Sequence, residues 1–368
     1  MADILISGYH GFANSGDEAL LFAILTTLRK SRPKLDVTVL SKTPEDTARV
    51  YGVKSISRYN YFKIKKEMKS SKMLLFGGGS LLQDVTSSKS IFYYLAIIFL
   101  AQHFGMKTML YANGVGPITK KHSRYLAKKI LNRVDLITLR DDKSDEELKS
   151  LGVIKPKIII TADPAFTIEA AHGALSGRYL ASIAGVPSGT KLCVVSIRSW
   201  KHSASNFTQE LAKLLDYMVE RYNMHPLFVP LQYPADLTIS ELVKKKMNHD
   251  AYVINRELSV PEMFSVLSEA EMCIGMRLHS LIYATTLEIP AMALVYDPKV
   301  SAFMESLNQP DLLDVESFSC GNAKTVLDRI ITNLSQRKEQ LHRTNAVLRK
   351  TAEDNGAYAI RLLDSCTE

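Results

Sequence analysis

The chain has 368 residues, of which 46% are hydrophobic and 23% are charged, with a formal net charge of +8 at pH 7. This length predicts two domains, and the composition is that of a globular protein, which excludes a disordered or fibrous one. The excess positive charge lies in the first half, since residues 1–170 contain 26 Lys and Arg against 16 Asp and Glu, and the remainder contains 20 against 22.

The sequence predicts neither a targeting segment nor a membrane-spanning helix. The first residues, MADILISGYHG, predict a strand entering a glycine loop rather than a signal peptide. The longest apolar run, residues 91–101, is shorter than the roughly 20 residues of a spanning helix, and favours a buried helix over a membrane-dipping one. Four dispersed cysteines without metal-binding spacing indicate reduced thiols in a cytoplasmic protein: Cys193, Cys273, Cys320 and Cys366.

Short apolar runs alternate with longer helical patterns along the chain, which is typical of parallel sheets covered by helices. The predicted strands of the first half are 4–7, 37–40, 73–76, 108–112 and 136–139. Those of the second half are 192–197, 226–230, 251–254, 272–274 and 291–295, and a helical stretch follows over 323–363. The expected fold class is therefore α/β, with two Rossmann-like domains.

The domain boundary is predicted within residues 163–191, where proline, glycine and small residues precede a new strand. We place it between a basic N-terminal domain, residues 1–170, and a C-terminal domain, residues 171–368, that includes the helical C-terminus. Open α/β sheets bind ligands at the carboxyl ends of their strands, so a cleft between the two domains is the expected ligand site.

Three glycine-containing loops follow predicted strands of the first domain. The loop from Gly8 to Glu18 brings Asp17 and Glu18 to the start of a helix, where they complement the helix dipole or cap the helix. It lacks the G-x-G-x-x-G spacing, which disfavours a nicotinamide cofactor. The loop Gly77-Gly78-Gly79-Ser80 predicts close approach of a ligand or a very tight turn, without a P-loop continuation, and the third loop begins at Asn113.

Arg140 ends a predicted strand, and Asp141 is predicted to cap the following helix. The arginine points towards the predicted cleft, or it pairs with Asp84 or Asp163; the residues alone leave both open.

Arg277 and His279 stand where a predicted strand meets a helix, so both can face one cavity. An anion there would meet a guanidinium, an imidazole and the free N–H groups of a helix N-terminus. Imidazole could also act as a general acid or base, although a single histidine is more often structural. Lys299, after the next strand, adds a cation from a neighbouring loop or faces solvent.

Other chemistries find less support in the sequence. Metal-binding patterns such as His-x-x-x-His and the serine nucleophile elbow do not occur. Basic clusters at 63–66, 120–124 and 128–129 suggest a surface for anionic lipid or a polyphosphate, or merely solvated helix faces. Nucleic acid is disfavoured because no aromatic-interleaved basic stripe accompanies these clusters.

The motifs GYHGFANSGDEALL, FGGGSLLQD, NGVGPI, LRDDKS, ADPAF, GMRLHSLIYA and YDPK follow one another over residues 1–300. In order and spacing the chain resembles the polysaccharide pyruvyl transferase family. It is most similar to bacterial enzymes that add ketal-linked pyruvate to N-acetylmannosamine in secondary cell-wall polymers, which anchor S-layer proteins.

The resemblance implies a GT-B-like architecture, phosphoenolpyruvate as co-substrate without a further cofactor, and an acceptor sugar on a polyprenyl diphosphate at the inner face of the cell membrane. It places the donor on Arg140, Arg277, His279 and Lys299, the first three being catalytic and His279 the proton donor. Asp17 or Glu18 is the expected base. The acceptor is assigned to the glycine loops, at Asn14, Asp17, Glu18, Gly77, Gly78, Gly79, Ser80 and Asn113.

Two other functions remain open from the sequence. A GT-B glycosyltransferase would also place glycine loops and basic residues at its ligand site, but it would use a nucleotide sugar. A non-catalytic protein could sense an anionic metabolite or a glycan through the same residues.

Overall fold

The computed structural model describes residues 2–85, 88–169 and 175–366. The chain forms two compact units, one made of residues up to Ile168 together with those from Leu348 onward, and the other of Glu169–Val347. The predicted junction between residues 170 and 171 itself lies outside the described residues.

The described part of the first unit contains a parallel sheet of seven strands with the order β3-β2-β1-β4-β5-β6-β7. Its strands are β1 (Ile4–Ser7), β2 (Val37–Ser41), β3 (Lys54–Ser57), β4 (Met73–Gly77), β5 (Lys107–Asn113), β6 (Leu136–Leu139) and β7 (Lys157–Ile160). Its helices are α1 (Ser15–Ser31), α2 (Pro44–Tyr51), α3 (Tyr61–Met68), α4 (Ser88–His103), α5 (Lys121–Leu131) and α6 (Asp142–Leu151), followed by a 3₁₀ turn, Pro164–Thr167.

The described part of the second unit contains a parallel sheet of six strands with the order β10-β9-β8-β11-β12-β13. The strands are β8 (Lys191–Ser196), β9 (Met224–Phe228), β10 (Tyr252–Val253), β11 (Ala270–Gly275), β12 (Ala291–Val295) and β13 (Leu312–Asp314). The helices are α7 (Gly177–Ile183), α8 (Phe207–Tyr222), α9 (Leu237–Lys246), α10 (Val260–Leu267), α11 (Leu278–Thr286), α12 (Pro298–Ser306), α13 (Cys320–Thr332) and the beginning of α14 (Leu334–Asp364).

All ten predicted strands are present, with ends that differ by at most two residues, and the predicted α/β class is confirmed. Three strands were missed: β3, β7 and β13. Each lies at an edge of its sheet and is only partly buried. An edge strand has one neighbouring strand fewer and tolerates polar residues, so β3 and β13 lack a clear apolar run on which a prediction could depend. β7 does contain a short apolar run, residues 158–160, which the sequence prediction did not interpret as a strand.

The C-terminal helix departs from the predicted domains, because the sequence assigned all of 171–368 to the second one. Residues from Leu348 onward belong to the first unit. There Ala359 and Leu363 are buried in a core with β1 and α1, and Asn355 accepts a hydrogen bond from Thr161 Oγ1 at 2.9 Å. A helical pattern shows which face is apolar but not which distant sheet that face will cover.

No helix among the described residues is long and apolar enough to cross a membrane. The predicted helix over 91–101 is α4, which buries one face against β4 and β5. Its other face is exposed, at Phe92, Ala96 and Phe99. The prediction of a buried helix is therefore right for only one side of α4.

Candidate active site

Each sheet has a point at which the strand order reverses, and ligands of open α/β sheets bind beside such points at the carboxyl ends of the strands. In the first sheet the reversal lies between β1 and β4, and in the second between β8 and β11. We call the carboxyl ends of β1, β4, β5 and β6, the loops after them and the first turns of the helices that follow the first carboxyl edge. The same parts of β8, β9, β11 and β12 form the second carboxyl edge. Every predicted site residue lies on one of these two edges.

Arg140 is held by a neighbouring carboxylate on the first carboxyl edge. Its Nη1 donates to Oδ2 of Asp163 at 2.7 Å, and its Nη2 donates to Oγ of Ser80 at 2.9 Å. The two charged side chains are only 9% and 5% exposed. Asp163 is thus the partner, whereas Asp84 accepts from the backbone N–H groups of Thr119 and Lys120. The alternative that the sequence left open, an arginine paired with Asp163, is present.

Asp17 has the most perturbed carboxyl group on this edge. Burial raises its pKa to about 7, and the charges of Glu18 and Asp163 add to the rise, while Arg140 opposes it. Some of its surface is nonetheless accessible to solvent. A Cβ atom on Gly79 would lie 3.3 Å from its Oδ1, so the glycine loop passes directly beside the carboxylate. A carboxyl group with this pKa can exchange a proton near neutral pH.

Asn14 and Glu18, both predicted acceptor residues, have structural roles. Asn14 caps α1 by accepting from Gly16 N at 3.1 Å, so of the two roles left open for Asp17 and Glu18, capping does not apply, whereas both lie in the first turn of the helix, where they complement its dipole. Glu18 accepts from Gly11 N at 2.8 Å and from the Tyr51 hydroxyl at 2.7 Å. These bonds hold the first loop against its neighbours. The predicted cap on Asp141, by contrast, is confirmed, because its side chain accepts from Ser144 N.

The three consecutive glycines form a tight turn against α1. Gly78 and Gly79 have φ angles of +66° and +74°, which disfavour any residue with a side chain. A Cβ atom on Gly78 would lie 2.9 Å from Leu20, so helix packing already demands a glycine there. The buried Asn113 donates from Nδ2 to the Gly78 carbonyl oxygen at 3.3 Å and ties the loop to the end of β5.

His10, which the sequence prediction did not single out, is a buried histidine in the first loop. Burial and the charge of Arg58 lower its pKa to about 3, so its imidazole is neutral at physiological pH. It therefore cannot serve as a proton donor near pH 7, which leaves that role to other residues.

On the second carboxyl edge, Arg277 is the N-cap residue of α11 and His279 lies in the first turn of that helix, as predicted. Asp236, which is 1% exposed, accepts from Nε and Nη2 of Arg277, both at 2.6 Å. Gln232 accepts from the same Nη2 at 2.9 Å. Among the described residues no hydrogen bond engages Nη1. Asp236 therefore fixes the plane of the guanidinium through Nε and Nη2, and Nη1 is the nitrogen that can donate to a ligand.

His279 and Lys299 occupy equivalent positions after the neighbouring strands β11 and β12. Each lies in the first turn of the helix that follows its strand. The His279 ring lies 6.0 Å from that of Tyr283, and the residue is partly exposed. Lys299 is the second residue of α12, whose cap, Asp297, accepts from the Lys299 backbone N–H at 2.9 Å. Both side chains thus start from helix N-termini, where partial positive charge favours an anion.

Arg198, after β8, was missed by the sequence analysis. Its guanidinium lies 5.2 Å from the Tyr296 ring and 6.0 Å from that of Trp200. Within the described part of the chain, Nε of Arg198, Nε1 of Trp200 and Oγ of Ser196 are buried without a hydrogen-bond partner. Buried donors are seldom unsatisfied, so these three groups are candidate donors to a polar ligand. The signal was available, since Arg198 follows its strand as Arg140 follows β6.

The four predicted donor residues do not all belong to one unit. Arg140 lies in the first unit with Asp17 and Ser80, whereas Arg277, His279 and Lys299 lie in the second with Arg198. The second unit alone therefore contributes three cationic side chains and an imidazole to loops that follow adjacent strands.

Two further features bear on where a ligand would bind. In the second unit, a cavity of about 460 Å³ is lined by Arg178, Lys191 and Glu269 at the amino ends of β8 and β11. Arg178 is already paired with Glu269 at 3.2 Å. The cavity lies at the amino ends of the strands, whereas ligands of such sheets bind at the carboxyl ends, so we favour the second carboxyl edge as the ligand site. Among the described residues, no group of His, Cys, Asp or Glu side chains could hold a metal ion.

Replacing Asp236 by asparagine is expected to destabilise the second unit by about 3 kcal/mol, because Arg277 would retain a nearly buried charge without its counter-ion. Urea unfolding followed by the fluorescence of Trp200, the single tryptophan, would measure the loss. Glu339→Gln is the matched control, since its ion pair with Arg343 lies in the same unit, is exposed and should contribute at most about 0.5 kcal/mol. Equal effects of the two substitutions would contradict this account of Arg277.

The sequence profile of the polysaccharide pyruvyl transferase family matches residues 14–298. The chain is 24% identical to the amylovoran biosynthesis protein AmsJ of Erwinia amylovora, over 92% of this chain and 94% of that protein.

Solved structures with similar folds include a glycosyltransferase from Rickettsia africae, with a TM-score of 0.65 at 11% identity over 100% of this chain and 99% of that one. A UDP-GlcNAc 2-epimerase from Neisseria meningitidis, bound to UDP-GlcNAc, has a TM-score of 0.65 at 12% identity over 98% and 100%. At such identities the likeness concerns the fold alone, and it confirms the GT-B-like class.

Proposed function

Because the chain belongs to the polysaccharide pyruvyl transferase family, we propose that it transfers pyruvate from phosphoenolpyruvate to a lipid-linked cell-wall polysaccharide precursor. The product is a 4,6-linked ketal on a sugar such as N-acetylmannosamine, in a polymer of the kind that anchors S-layer proteins. The observation that carries the proposal is the position of Arg277 and His279 at the N-terminus of α11, beside the strand order reversal of the second sheet.

The donor chemistry matches the second carboxyl edge. Phosphoenolpyruvate carries a carboxylate and a phosphate, and both need cations and N–H donors that are already in place. Arg277, oriented by Asp236, offers Nη1 and binds one anionic group. Lys299, in the first turn of α12, and Arg198, in the loop after β8 with its Nε unsatisfied, follow the two strands that flank β11 and bind the other. No metal ion or organic cofactor enters this proposal.

His279 supplies the proton in the proposed reaction. Protonation of the methylene carbon C3 of phosphoenolpyruvate makes C2 electrophilic, and a sugar hydroxyl adds there as it gives up its own proton. The C2–O bond to phosphate then breaks, and the second hydroxyl attacks C2 to close the ketal, its proton leaving with the phosphate. Imidazole suits the first step because it can hold and release a proton near neutral pH.

Asp17 is the proposed base for the acceptor hydroxyl. The sequence offered Asp17 and Glu18 equally, but Glu18 is engaged by Gly11 and Tyr51, whereas the pKa of Asp17 is raised to about 7. A base with a pKa near the working pH is the most effective at that pH. Ser80 and Gly79, beside Asp17 and Arg140, line the same part of the first carboxyl edge and would contact the sugar.

Arg140 remains a proposed donor ligand, although its ion pair with Asp163 gives it a structural role as well. Arg140→Lys separates the two roles, because lysine retains the charge but loses the two-pronged contact with Asp163 and Ser80. A donor ligand would show a raised KM for phosphoenolpyruvate, whereas a purely structural residue would show reduced stability with an unchanged KM.

The deciding experiment is phosphate release from phosphoenolpyruvate, with and without synthetic lipid-linked disaccharide acceptors. We expect release only when donor and acceptor are both present, together with a product heavier by one pyruvyl group. Tight binding of uridine or guanosine diphosphate without phosphate release would instead identify a nucleotide-sugar glycosyltransferase. Binding of phosphoenolpyruvate without turnover on any acceptor would indicate a sensor of the anion.

A further inference from the structure

The helices α3, α4 and α5 of the first unit lie side by side on one face of its sheet. Their inner sides share one core, which includes Ile64, Tyr94, Leu95 and Ile130. Arg58, just before α3, stacks 4.4 Å from the Tyr93 ring of α4, and Gln102 of α4 donates to the carbonyl oxygen of Ile130 in α5 at 3.1 Å. The outer sides of these helices therefore form one continuous surface.

The outward stripe of α4 is apolar, which is unusual for a helix that covers a sheet. Its exposed positions are Lys89, Phe92, Ala96, Phe99 and His103, spaced by three and four residues along one side of the helix. Phe92 is 39% and Phe99 44% exposed. A helix on a globular surface normally turns charged and polar residues outward at such positions. The stripe thus resembles the buried face of a helix that has a second partner.

Large aromatic side chains also project from the helices on both sides of α4. Phe62 is 83% exposed and Tyr61 51% exposed at the start of α3, and Tyr125 is 64% exposed on α5. Each of these side chains is exposed to solvent, although its apolar surface is as large as that of an aromatic residue in the core. We call the exposed residues of α3, α4 and α5 the basic aromatic face. An apolar patch of this kind marks an interaction surface.

The charge on these three helices is almost entirely of one sign. Residues 59–69, 88–104 and 119–133, which form the three helices and their ends, contain eleven Lys and Arg against one acidic residue, Glu67. Glu67 is buried and bonded to Thr38 and Lys54, so its charge is turned towards the sheet. The exposed charges of these three segments are therefore all positive, with Lys65 and Lys66 beside Phe62. At the border with α6, Arg124 pairs with Glu147 at 3.5 Å.

We propose that the basic aromatic face docks on an anionic lipid bilayer. Phe62, Phe92 and Phe99 enter the interface between headgroups and acyl chains, where aromatic rings are favoured, and the lysines contact anionic headgroups. An acidic protein or a nucleic acid would attract the lysines but would not account for the apolar stripe of α4. The inference rests on this surface alone and is independent of the reaction proposed above.

Vesicle sedimentation tests the docking surface without any substrate. We expect the protein to bind vesicles of phosphatidylcholine with phosphatidylglycerol at low salt, and to bind pure phosphatidylcholine vesicles much more weakly. The double variant K65E/K66E should weaken binding at least about tenfold, since each cation near an anionic surface contributes several-fold. The matched control K155E/K157E makes the same change in net charge at exposed positions outside this face, and should lose much less binding.

The aromatic residues require a separate variant, F62S/F99S, which should weaken binding about tenfold with an unchanged circular dichroism spectrum, since both side chains are exposed. Three results would overturn the proposal. They are absence of binding by the wild type at low salt, equal losses in the two charge variants, or full binding by F62S/F99S. The last would indicate a surface for any polyanion, which heparin competition would then reveal.

Discussion

Replacing His279 by alanine is expected to lower the rate of ketal formation about 10³-fold, because no other group would protonate C3 of the donor. The fold should survive, since His279 is a partly exposed residue in the first turn of α11. Phosphate release at saturating donor and acceptor concentrations measures the rate. In deuterated water the wild type should place one deuterium in the new methyl group.

Donor binding separates the chemical role of His279 from a role in binding. Trp200 lies beside Arg198 and Tyr296 on the second carboxyl edge, so phosphoenolpyruvate should change its fluorescence. His279→Ala should retain this signal with an affinity within about tenfold of the wild type, corresponding to the loss of a single contact. His249→Ala, which alters an exposed histidine paired with Glu220, is the control and should leave the rate unchanged. A fully active His279→Ala variant would end the proposed mechanism.

Replacing Asp17 by asparagine is expected to lower the rate about 10²-fold or more, because asparagine cannot accept the proton of the acceptor hydroxyl. In the wild type the rate should rise with pH through about 7, where the Asp17 carboxyl loses its proton. The variant should lose this limb of the pH profile. A wild-type profile that is flat between pH 5 and 8 would contradict the role of Asp17 as the base.

The same substitution should also change stability, in a direction opposite to the usual one. The pKa of Asp17 is raised to about 7 in the folded chain from 3.8 in the unfolded one, so folding takes up a proton between these values. The wild type therefore loses stability as pH rises through this range, and the full penalty is present above about pH 7. Asparagine carries no charge and escapes the penalty.

Asp17→Asn should accordingly be more stable than the wild type at about pH 8 by on the order of 1 kcal/mol, with no gain near pH 4. Hydrogen exchange of the amides in β1 and β4, which flank the first loop, measures this locally. Glu18→Gln serves as a contrast, because it weakens bonds to Gly11 and Tyr51 and should lose stability. A loss of stability in Asp17→Asn at pH 8 would contradict this account. It would show that favourable contacts of the charged carboxylate outweigh the cost of burying it.

The sequence predicted the interior of both sheets well and their edges poorly. A central strand such as β1 is buried on both faces and must be continuously apolar, so its four residues are recognisable without any partner. β3, with the sequence KSIS, is only partly buried and carries no such constraint. The route of α14 was equally hidden, because the burial of Ala359 and Leu363 beside β1 depends on residues more than 300 positions away.

For the site, the sequence located the loops but left most of the partners within them undetermined. Arg277 and His279 were found because a strand end followed by a helix start is a local pattern. The structure shows that Asp236 orients Arg277, that Tyr51 donates a hydrogen bond to Glu18, and that burial raises the pKa of Asp17. These effects depend on contacts between segments that are distant in sequence.

The sequence by itself thus determined the features that depend on residues close together in the chain. These are the alternation of strands and helices, the glycine turns, some of the helix caps, and the cations placed at helix N-termini. The tertiary structure decided which of these groups can do chemistry. Burial beside Glu18 and Asp163 raises the pKa of Asp17 to about 7, and burial beside Arg58 lowers the pKa of His10 to about 3. Asp163 forms an ion pair with Arg140. The physical reason is that proton affinity and ion pairing depend on solvation and distance, which are set only when remote segments pack together.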